Sequence, residues 1–225
     1  MTQVLGIFGK HPTPGEVKTR LAAATSPAWA AQVAGAFLRV TLDRFAEVGD
    51  RRVLAFAPLS AADYFTSLVA ARFDLEPQTN GDLGQRMARF FGRHLQPASH
   101  HVVLIGTDSP TLPLEFVASA FDLLRDHDVV LGPATDGGYY LIGCTGHLPP
   151  IFTGIDWGAA TVLAATIQKL PPDYRLGLLP PWYDVDTLDD WQMLRGHLEV
   201  MRQAAMEVKA FESLLKLEDA SSQVV

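Results

Sequence analysis

The sequence has only one cysteine, Cys144, among its 225 residues. One cysteine cannot form an internal disulfide, and it cannot supply the several thiolates of a cysteine-based zinc site. Because Cys144 lies within an apolar segment, we expect it to be buried in the core. The sequence also lacks an uninterrupted apolar run of roughly 18 residues, and it does not begin like a secretory signal. It therefore predicts a cytoplasmic protein without a membrane-spanning helix.

Positive charge is also scarce, since 18 Lys and Arg residues face 25 Asp and Glu residues and give a formal net charge of −7. A nucleic-acid-binding protein usually presents a basic face, so we predict no nucleic-acid partner. A few local cations could still hold a small anionic ligand. The serine-hydrolase motif GxSxG is absent, and the seven histidines have no metal-ligand spacing. These absences disfavour a serine hydrolase and a histidine-based metal site.

Apolar segments of strand and helix type alternate along the chain, and its length suits one α/β domain. We predict strands at 4–8, 53–57, 73–76, 102–105, 128–132, 139–144 and 175–179. We predict helices at 27–48, 61–71, 85–95, 114–125, 158–169 and 188–217, with a break in the last one near Gly196. This order predicts a three-layer α/β/α fold with a mostly parallel sheet. One domain would span residues 1–217, followed by a frayed polar tail at 218–225.

Asp108 directly follows the apolar run 102–105, which has the composition of a strand buried on both faces. It therefore lies just past the carboxyl end of a central strand, where open α/β sheets bind ligands. The alternative role is a helix N-cap, but Ser109 or Thr111 could serve as the cap instead. We therefore predict that Asp108 binds a divalent metal ion or the substrate.

The segment 9–20, GKHPTPGEVKTR, follows the first predicted strand and reads as a loop. It contains three cations, Lys10, Lys18 and Arg20. Gly9 and Gly15 would let backbone N–H groups approach a ligand closely. A solvated loop with ordinary surface charges is the alternative, and the spacing matches neither the P-loop nor GxGxxG. We predict that this loop binds a diphosphate.

A second acidic segment, WYDVDTLDD, contains Asp184 and Asp186 on either side of Val185. In an extended chain these two carboxylates share one face, while Val185 points into the protein. Thr187 can cap the helix that follows, and the acidic residues at 189 and 190 then lie in its first turn. Asp184 and Asp186 are not needed for capping, so we predict that they bind a divalent cation or a cationic partner.

A glycine pair follows Asp136 in the segment GPATDGGYY. Asp-Gly is a strong hairpin signal, which alone could explain the segment. The alternative is that Gly137 and Gly138 leave space for a ligand and that Asp136 binds a hydroxyl of the substrate. Both interpretations stay open at this point.

The segment QTNGDLGQR has a similar ambiguity. Asp82 either caps the next helix or belongs to a nucleotide site together with Gln78 and Arg86. Trp157 could stack on a ring of the ligand, although a buried aromatic residue is the more common outcome. The sequence thus offers these four residues as candidate nucleotide contacts.

Five motifs occur in one order: FGKHPTPGEVKTRLA, GDLGQRM, IGTDSPTLP, GPATDGGYYLIG and DVDTLDDW. In this order they resemble the bacterial family DUF2064 over about residues 4–191. Its members are assigned as nucleotide-diphospho-sugar transferases or glycosyltransferases of the GT-A fold, and the family is similar to phospholactate and molybdenum-cofactor guanylyltransferases. Two positions depart from its pattern, since Ser109 stands where Cys-Pro is frequent and Thr135 where an acidic residue is frequent.

The resemblance implies a nucleotide or sugar nucleotide held by Lys10, Lys18 and Arg20, and Mg²⁺ or Mn²⁺ at Asp108 and the segment 184–186. We expect Asp108, Lys18, Arg20 and Asp136 to be the catalytic residues. The first expectation for the reaction is glycosyl transfer from a sugar nucleotide to a small acceptor that the sequence does not identify. The second is nucleotidyl transfer to a small phosphorylated acceptor, and the third is a non-catalytic nucleotide-binding module. Assembly into a homo-oligomer is compatible with all three.

Overall fold

The computed structural model describes residues 1–96, 99–204, 206 and 208–217. The strands are β1 (Thr2–Lys10), β2 (Arg51–Ala57), β3 (Asp74–Pro77), β4 (His100–Ile105), β5 (Val129–Pro133), β6 (Tyr139–Thr145) and β7 (Leu176–Leu178). The helices are α1 (Thr19–Ala24), α2 (Pro27–Arg44), α3 (Ala62–Val69), α4 (Leu83–His94), α5 (Leu114–Leu123), α6 (Val162–Gln168), α7 (Leu188–Gln203) and α8 (Glu212–Leu215). The predicted polar tail at 218–225 lies outside the described residues.

The strands form one seven-stranded sheet in the order β3-β2-β1-β4-β6-β5-β7. Neighbouring strands are parallel except that β6 runs antiparallel to both β4 and β5. The predicted mostly parallel α/β fold is confirmed. Strands β1 and β4 lie side by side near the middle of the sheet, so the segments that follow them leave the sheet at the same edge.

Side chains of β1 alternate between two hydrophobic clusters, as successive residues of a strand must. Leu5 and Ile7 are fully buried on the face covered by α2, α3 and α5, while Val4 is buried on the face covered by α4. Each such side chain contributes roughly 1.5–3 kcal/mol to folding through removal from water. The sheet therefore lies between two helical layers.

A third cluster joins α2 to α1, α7 and α8 on the outer side of the molecule. Trp191, in the first turn of α7, is fully buried, and its ring meets that of Trp29 edge to face at 5.1 Å between centroids. Large buried aromatic pairs of this kind fix the position of the elements that carry them. The start of α7 is thus anchored, and with it the segment 184–186 just before the helix.

The C-terminal region corrects the predicted helix 188–217. Helix α7 passes Gly196 without a break and ends at Gln203, and the separate helix α8 begins at Glu212. Phe211 and Leu214 pack in the cluster with α2. A straight helix would rise about 1.5 Å per residue and carry Phe211 away from that cluster. Tertiary packing therefore ends α7 at Gln203, although the sequence from there to Glu212 contains neither Gly nor Pro.

The predicted loop 9–20 is shorter than expected. Strand β1 continues through Lys10, and Arg20 already lies in α1. Gly9 and Lys10 stay paired with β2, where their Cα partners are Phe56 and Ala57. The pairing of β1 with its neighbour thus uses residues that composition alone assigned to the loop.

Two further predictions concern the burial of Cys144 and membrane-spanning helices. Cys144 is fully buried in β6, as predicted. Within the part of the chain that the structure describes, no helix combines the length and the hydropathy that a bilayer crossing requires.

Candidate functional site

A cavity of about 590 Å³ opens at the carboxyl end of β4, between the segments that follow β4 and β5 and those that precede α6 and α7. Its polar lining includes one guanidinium and four carboxylates, namely Arg20, Asp108, Asp136, Asp184 and Asp186. Its apolar lining includes Phe8, Leu83, Met87 and Trp157. Ligands of open α/β sheets bind at this edge, so the cavity is the candidate active site.

Lys18 connects the two acidic segments of this cavity. Its Nζ contacts Asp108 Oδ1, lies 3.0 Å from Asp186 Oδ1 and donates a 2.7 Å hydrogen bond to the carbonyl oxygen of Val185. The Lys18 side chain is only 4% exposed, whereas those of Asp108 and Asp186 are 51% and 36% exposed. The cation is therefore buried beneath two carboxylates that face the cavity.

Burial alone would lower the pKa of the Lys18 ammonium, but the charges of Asp108 and Asp186 and their hydrogen bonds outweigh it. The net effect raises the pKa of Lys18 above its ordinary value. Lys18 consequently stays protonated at neutral pH and holds the two carboxylates together as an ion-paired group.

The segment 184–186 is placed by the helix that follows it. Thr187 and Asp190 form a capping box at the start of α7, and Asp190 also accepts a 3.1 Å hydrogen bond from the backbone N–H of Asp186. Val185 is fully buried, and its N–H donates a 2.9 Å hydrogen bond to the carbonyl oxygen of Asp108. Alternation along the extended chain then turns the carboxylates on either side of Val185 toward the cavity, as the sequence predicted.

Asp184 has a different environment from its neighbours. Its carboxylate accepts a hydrogen bond from Ser109 Oγ. Burial raises the pKa of Asp184 to about 7, the charges of Asp108 and Asp136 add to this effect, and the Ser109 hydrogen bond and Lys18 oppose it. The environment of Asp184 thus differs from that of Asp108 and Asp186, whose carboxylates are ion-paired with Lys18.

The two glycines between β5 and β6 lie in different environments. Gly137 has φ of +93°, and a Cβ atom there would collide with the backbone of Ala160, so glycine is required by packing. Gly138 lines the cavity, and its N–H donates a 2.9 Å hydrogen bond to Asp136 Oδ1. The turn geometry and the packing against Ala160 therefore account for Gly137, which is not among the described residues that line the cavity, while Asp136 and Gly138 remain candidate ligand contacts.

Three residues predicted to bind the diphosphate do not reach the cavity. Lys10 is exposed and its Nζ donates to the carbonyl oxygen of Glu16 at 2.6 Å. Gly9 packs beneath side chains of α2 and β2, and Gly15 forms a turn with φ of +82° in open space. Among the loop cations, Arg20 lines the cavity and Lys18 lies beneath it. The extension of β1 through Lys10 explains why Gly9 and Lys10 stay with the sheet, and Gly15 lies in the turn beyond it.

The residues proposed for nucleotide reading in the segment 78–86 also lie outside the cavity. Asp82 Oδ1 accepts a 2.8 Å hydrogen bond from the N–H of Gln85, and the two residues form a capping box. Asp82 is therefore the N-cap of α4. Gln78 Nε2 donates to backbone oxygens of Gly9 and Ala55, and Arg86 Nε donates to that of Gly81. Gln78 and Arg86 border a much smaller neighbouring pocket, which shares Phe8 with the cavity.

The apolar wall of the cavity includes residues that the sequence analysis missed. Leu83 and Met87 lie four positions apart on α4 and so share one face of that helix, while Phe8 is near the end of β1. Trp157, a predicted contact, completes this wall. The spacing of Leu83 and Met87 was visible in the sequence, but their use in a cavity depends on where α4 packs.

The donor set is compatible with a divalent cation, although the described residues contain no group of three His, Cys, Asp or Glu side chains arranged around a metal position. Asp108 and Asp186 each direct Oδ1 at Lys18, and among the described residues no hydrogen bond reaches their Oδ2 atoms. Carboxylate oxygens are the ligands that Mg²⁺ and Mn²⁺ prefer. Asp108 and Asp186 are thus candidate ligands, and Asp184, which also lines the cavity, lies beside them.

Comparisons with known proteins agree with this architecture. A model of the family described as "Uncharacterized protein conserved in bacteria (DUF2064)" matches residues 41–159. A proposed nucleotide-diphospho-sugar transferase from Desulfovibrio desulfuricans G20 is 30% identical, with a TM-score of 0.85 over 96% of this chain and 95% of that chain.

Two further proteins extend the comparison. The 3-phospho-D-glycerate guanylyltransferase of Phenylobacterium zucineum (strain HLK1) is 32% identical over 136 residues, which are 59% of this chain and 62% of that protein. The match thus spans about three fifths of the length of that curated relative. A cytidylyltransferase from Leptospira borgpetersenii, 11% identical with a TM-score of 0.58 over 100% of this chain and 97% of that chain, shares the fold.

Proposed function

This chain belongs to the DUF2064 family and is a transferase, and we propose that it transfers a nucleotidyl group from a nucleoside triphosphate to a small phosphorylated acceptor. Pyrophosphate is the second product. The observation that carries this proposal is the convergence of Asp108, Asp186, Lys18 and Arg20, from three separate segments, at one cavity. The guanylyltransferase activity of the Phenylobacterium relative supports nucleotidyl over glycosyl transfer.

The charge of the cavity supports a metal requirement. Four carboxylates line it, while Arg20 and the buried Lys18 supply the opposing charge. A triphosphate with three or four negative charges would be repelled from such a surface unless a cation accompanied it. We therefore propose that Mg²⁺ or Mn²⁺ is needed for binding and that the carboxylates of Asp108 and Asp186 hold it.

The reaction we propose is a substitution at the α-phosphorus. An oxygen of the acceptor phosphate attacks that phosphorus, the bond between it and the bridging oxygen to the β-phosphorus breaks, and pyrophosphate leaves with the electron pair. A bound Mg²⁺ or Mn²⁺ would supply Lewis-acid stabilisation of the phosphate oxygens. Because the acceptor phosphate is already ionised, the chain does not need a general base for this step.

The chain's own residues orient the reactants and balance their charge. Arg20 offers a planar fork of donors to the leaving diphosphate. Phe8, Leu83, Met87 and Trp157 give an apolar wall against which a base can pack. Asp136, which lines the cavity, would accept a hydrogen bond from a hydroxyl of the acceptor or the ribose.

A direct test is pyrophosphate release. Purified protein is incubated with Mg²⁺, each of the four ribonucleoside triphosphates and a panel of phosphorylated acceptors that includes 3-phosphoglycerate. The proposal expects pyrophosphate to appear only when a triphosphate and an acceptor are both present, and to disappear in the Asp108→Asn variant. Absence of pyrophosphate with every pair, while a sugar nucleotide is converted to a nucleoside diphosphate, would contradict it.

The second candidate is glycosyl transfer from a sugar nucleotide. It is favoured by the proposed activity of the Desulfovibrio relative, which matches a larger share of the chain. The cavity would bind the diphosphate and its metal ion in the same way. The bond broken, however, would be the one between the sugar C1 and the phosphate oxygen. Release of a nucleoside diphosphate identifies this alternative, and nucleotide binding without either product would indicate a non-catalytic module.

A further inference from the structure

Lys18 has an environment that a phosphate-binding lysine on a cavity wall would not have. Its ammonium is enclosed by three oxygen atoms, Asp108 Oδ1, Asp186 Oδ1 and the carbonyl oxygen of Val185. Its side chain is 4% exposed, and it is not among the residues that line the cavity in the described part of the chain. In this state the charge of Lys18 is neutralised by carboxylates of the protein itself and is not available to a ligand.

The three oxygens around Lys18 form a cation site that the protein itself fills. Two carboxylate oxygens and one backbone carbonyl are also typical ligands of a hard divalent cation. Asp108 and Asp186 both contact the Lys18 ammonium, which offsets the repulsion between their like charges. The same carboxylate pair therefore serves Lys18 in this structure and is the pair proposed to hold the metal.

We propose that Lys18 is an internal counter-ion, which occupies the Asp108–Asp186 pair until a divalent cation displaces it and frees the ammonium for the phosphates of the nucleotide. A divalent cation bound beside a buried ammonium would be strongly repelled, so the two cations compete for the pair. Lys18 thereby keeps the acidic pair assembled and lowers its affinity for free metal. The metal enters preferentially with its nucleotide, which offers the displaced ammonium a new partner.

The backbone of Lys18 supports a residue able to change position. Lys18 has φ of 47° and ψ of 45°, in the left-handed region that non-glycine residues rarely adopt. It precedes the six-residue helix α1, which carries Arg20 to the cavity wall. A non-glycine residue stays in this region only when its surroundings hold it there, and the contacts of the Lys18 ammonium are part of those surroundings.

This inference rests on the metal site of the proposed function, but its test uses neither nucleotide nor turnover. Isothermal titration calorimetry with Mn²⁺ alone compares the wild type, Lys18→Met and Lys216→Met. Lys216 is a matched control, because its ammonium is also paired with a carboxylate, Glu212, but on the surface. Removing the competing ammonium should tighten Mn²⁺ binding about tenfold or more in Lys18→Met, and the control should match the wild type.

An equal or weaker Mn²⁺ affinity in Lys18→Met, or no binding to either protein, would overturn the proposal. If Lys18→Met does not fold, as judged by circular dichroism, the wild type gives the answer by nitrogen-15 NMR of its lysine ammonium groups. The buried Lys18 ammonium should give a signal protected from water exchange that is lost when Mg²⁺ is added. A signal that persists at saturating Mg²⁺ would equally overturn it. Pyrophosphate release is scored separately, so either idea can fail while the other stands.

Discussion

At the scale of single residues, Asp184 and Asp186 lie two positions apart and line the same cavity, yet their carboxylates differ. Asp186 is paired with Lys18, while Asp184 is buried against Ser109. Burial raises the pKa of Asp184 from 3.8 to about 7. Ionising Asp184 therefore opposes folding, and its proton is favoured in the native state.

The first prediction concerns the pH dependence of stability. Because the native pKa of Asp184 is raised, its stabilising contribution is complete below about pH 4 and is lost as the pH rises through about 7. The free energy of unfolding of the wild type, relative to Asp184→Asn, should fall between pH 5 and pH 8 by at most about 2–4 kcal/mol. Urea unfolding at both pH values in EDTA measures this difference. A difference that is the same at both pH values would contradict the environment assigned to Asp184.

The second prediction concerns Arg20, the guanidinium that lines the cavity among the described residues. Charge-assisted hydrogen bonds to phosphate contribute roughly 1.5–3 kcal/mol, so Arg20→Ala should weaken triphosphate binding by about 10- to 100-fold. Calorimetric titration in Mg²⁺ measures it. Arg125→Ala is the control, because Arg125 pairs with Asp122 at the surface. Equal triphosphate affinities of the wild type, Arg20→Ala and Arg125→Ala would show that Arg20 is an ordinary surface charge.

At the scale of elements, α4 and α7 both begin with capping boxes, and both starts border the site. The cap of α7 fixes the segment 184–186, while the cap of α4 places Leu83 and Met87 at the cavity wall. A cap acts through the position of its helix and needs no contact with the ligand. This distinction separates Asp82 from the acidic residues of the cavity.

The third prediction uses that distinction. Asp82→Ala removes the side-chain acceptor of the α4 cap and should lower the free energy of unfolding by about 1 kcal/mol. Asp82→Ser keeps an acceptor at the cap and should restore most of this loss. Urea unfolding gives the stability, and nucleotide titration of Asp82→Ser should match the wild type. A large loss of nucleotide affinity in Asp82→Ser would instead make Asp82 a ligand contact.

At the scale of the whole molecule, much of the site could be predicted because it depends on local patterns. The end of a buried apolar strand located Asp108, and alternation around the buried Val185 oriented its two acidic neighbours. Thr187 was recognised as a cap from its position before a helical segment. In each case, the required information lies within a few residues of the position concerned.

The remaining features depend on contacts between distant segments. Lys10, Lys18 and Arg20 look alike in the sequence, but the pairing of β1 with β2 removes Lys10 from the site, and contacts with residues about 90 and 170 positions away bury Lys18. The split between α7 and α8 likewise follows from the packing of Phe211 on α2. Neither the periodicity of the sequence nor the type of a residue specifies which distant segments come into contact.

The central claim is that a divalent cation on Asp108 and Asp186 joins a nucleotide to this cavity. It is tested most directly by calorimetric titration of the four ribonucleoside triphosphates into the wild type and Asp108→Asn, each in Mg²⁺ and in EDTA. We expect the preferred nucleotide to bind the wild type about tenfold or more tightly in Mg²⁺ than in EDTA, and this gain to vanish in Asp108→Asn. A dissociation constant of the preferred nucleotide that is the same for both proteins, in Mg²⁺ and in EDTA, would contradict the account.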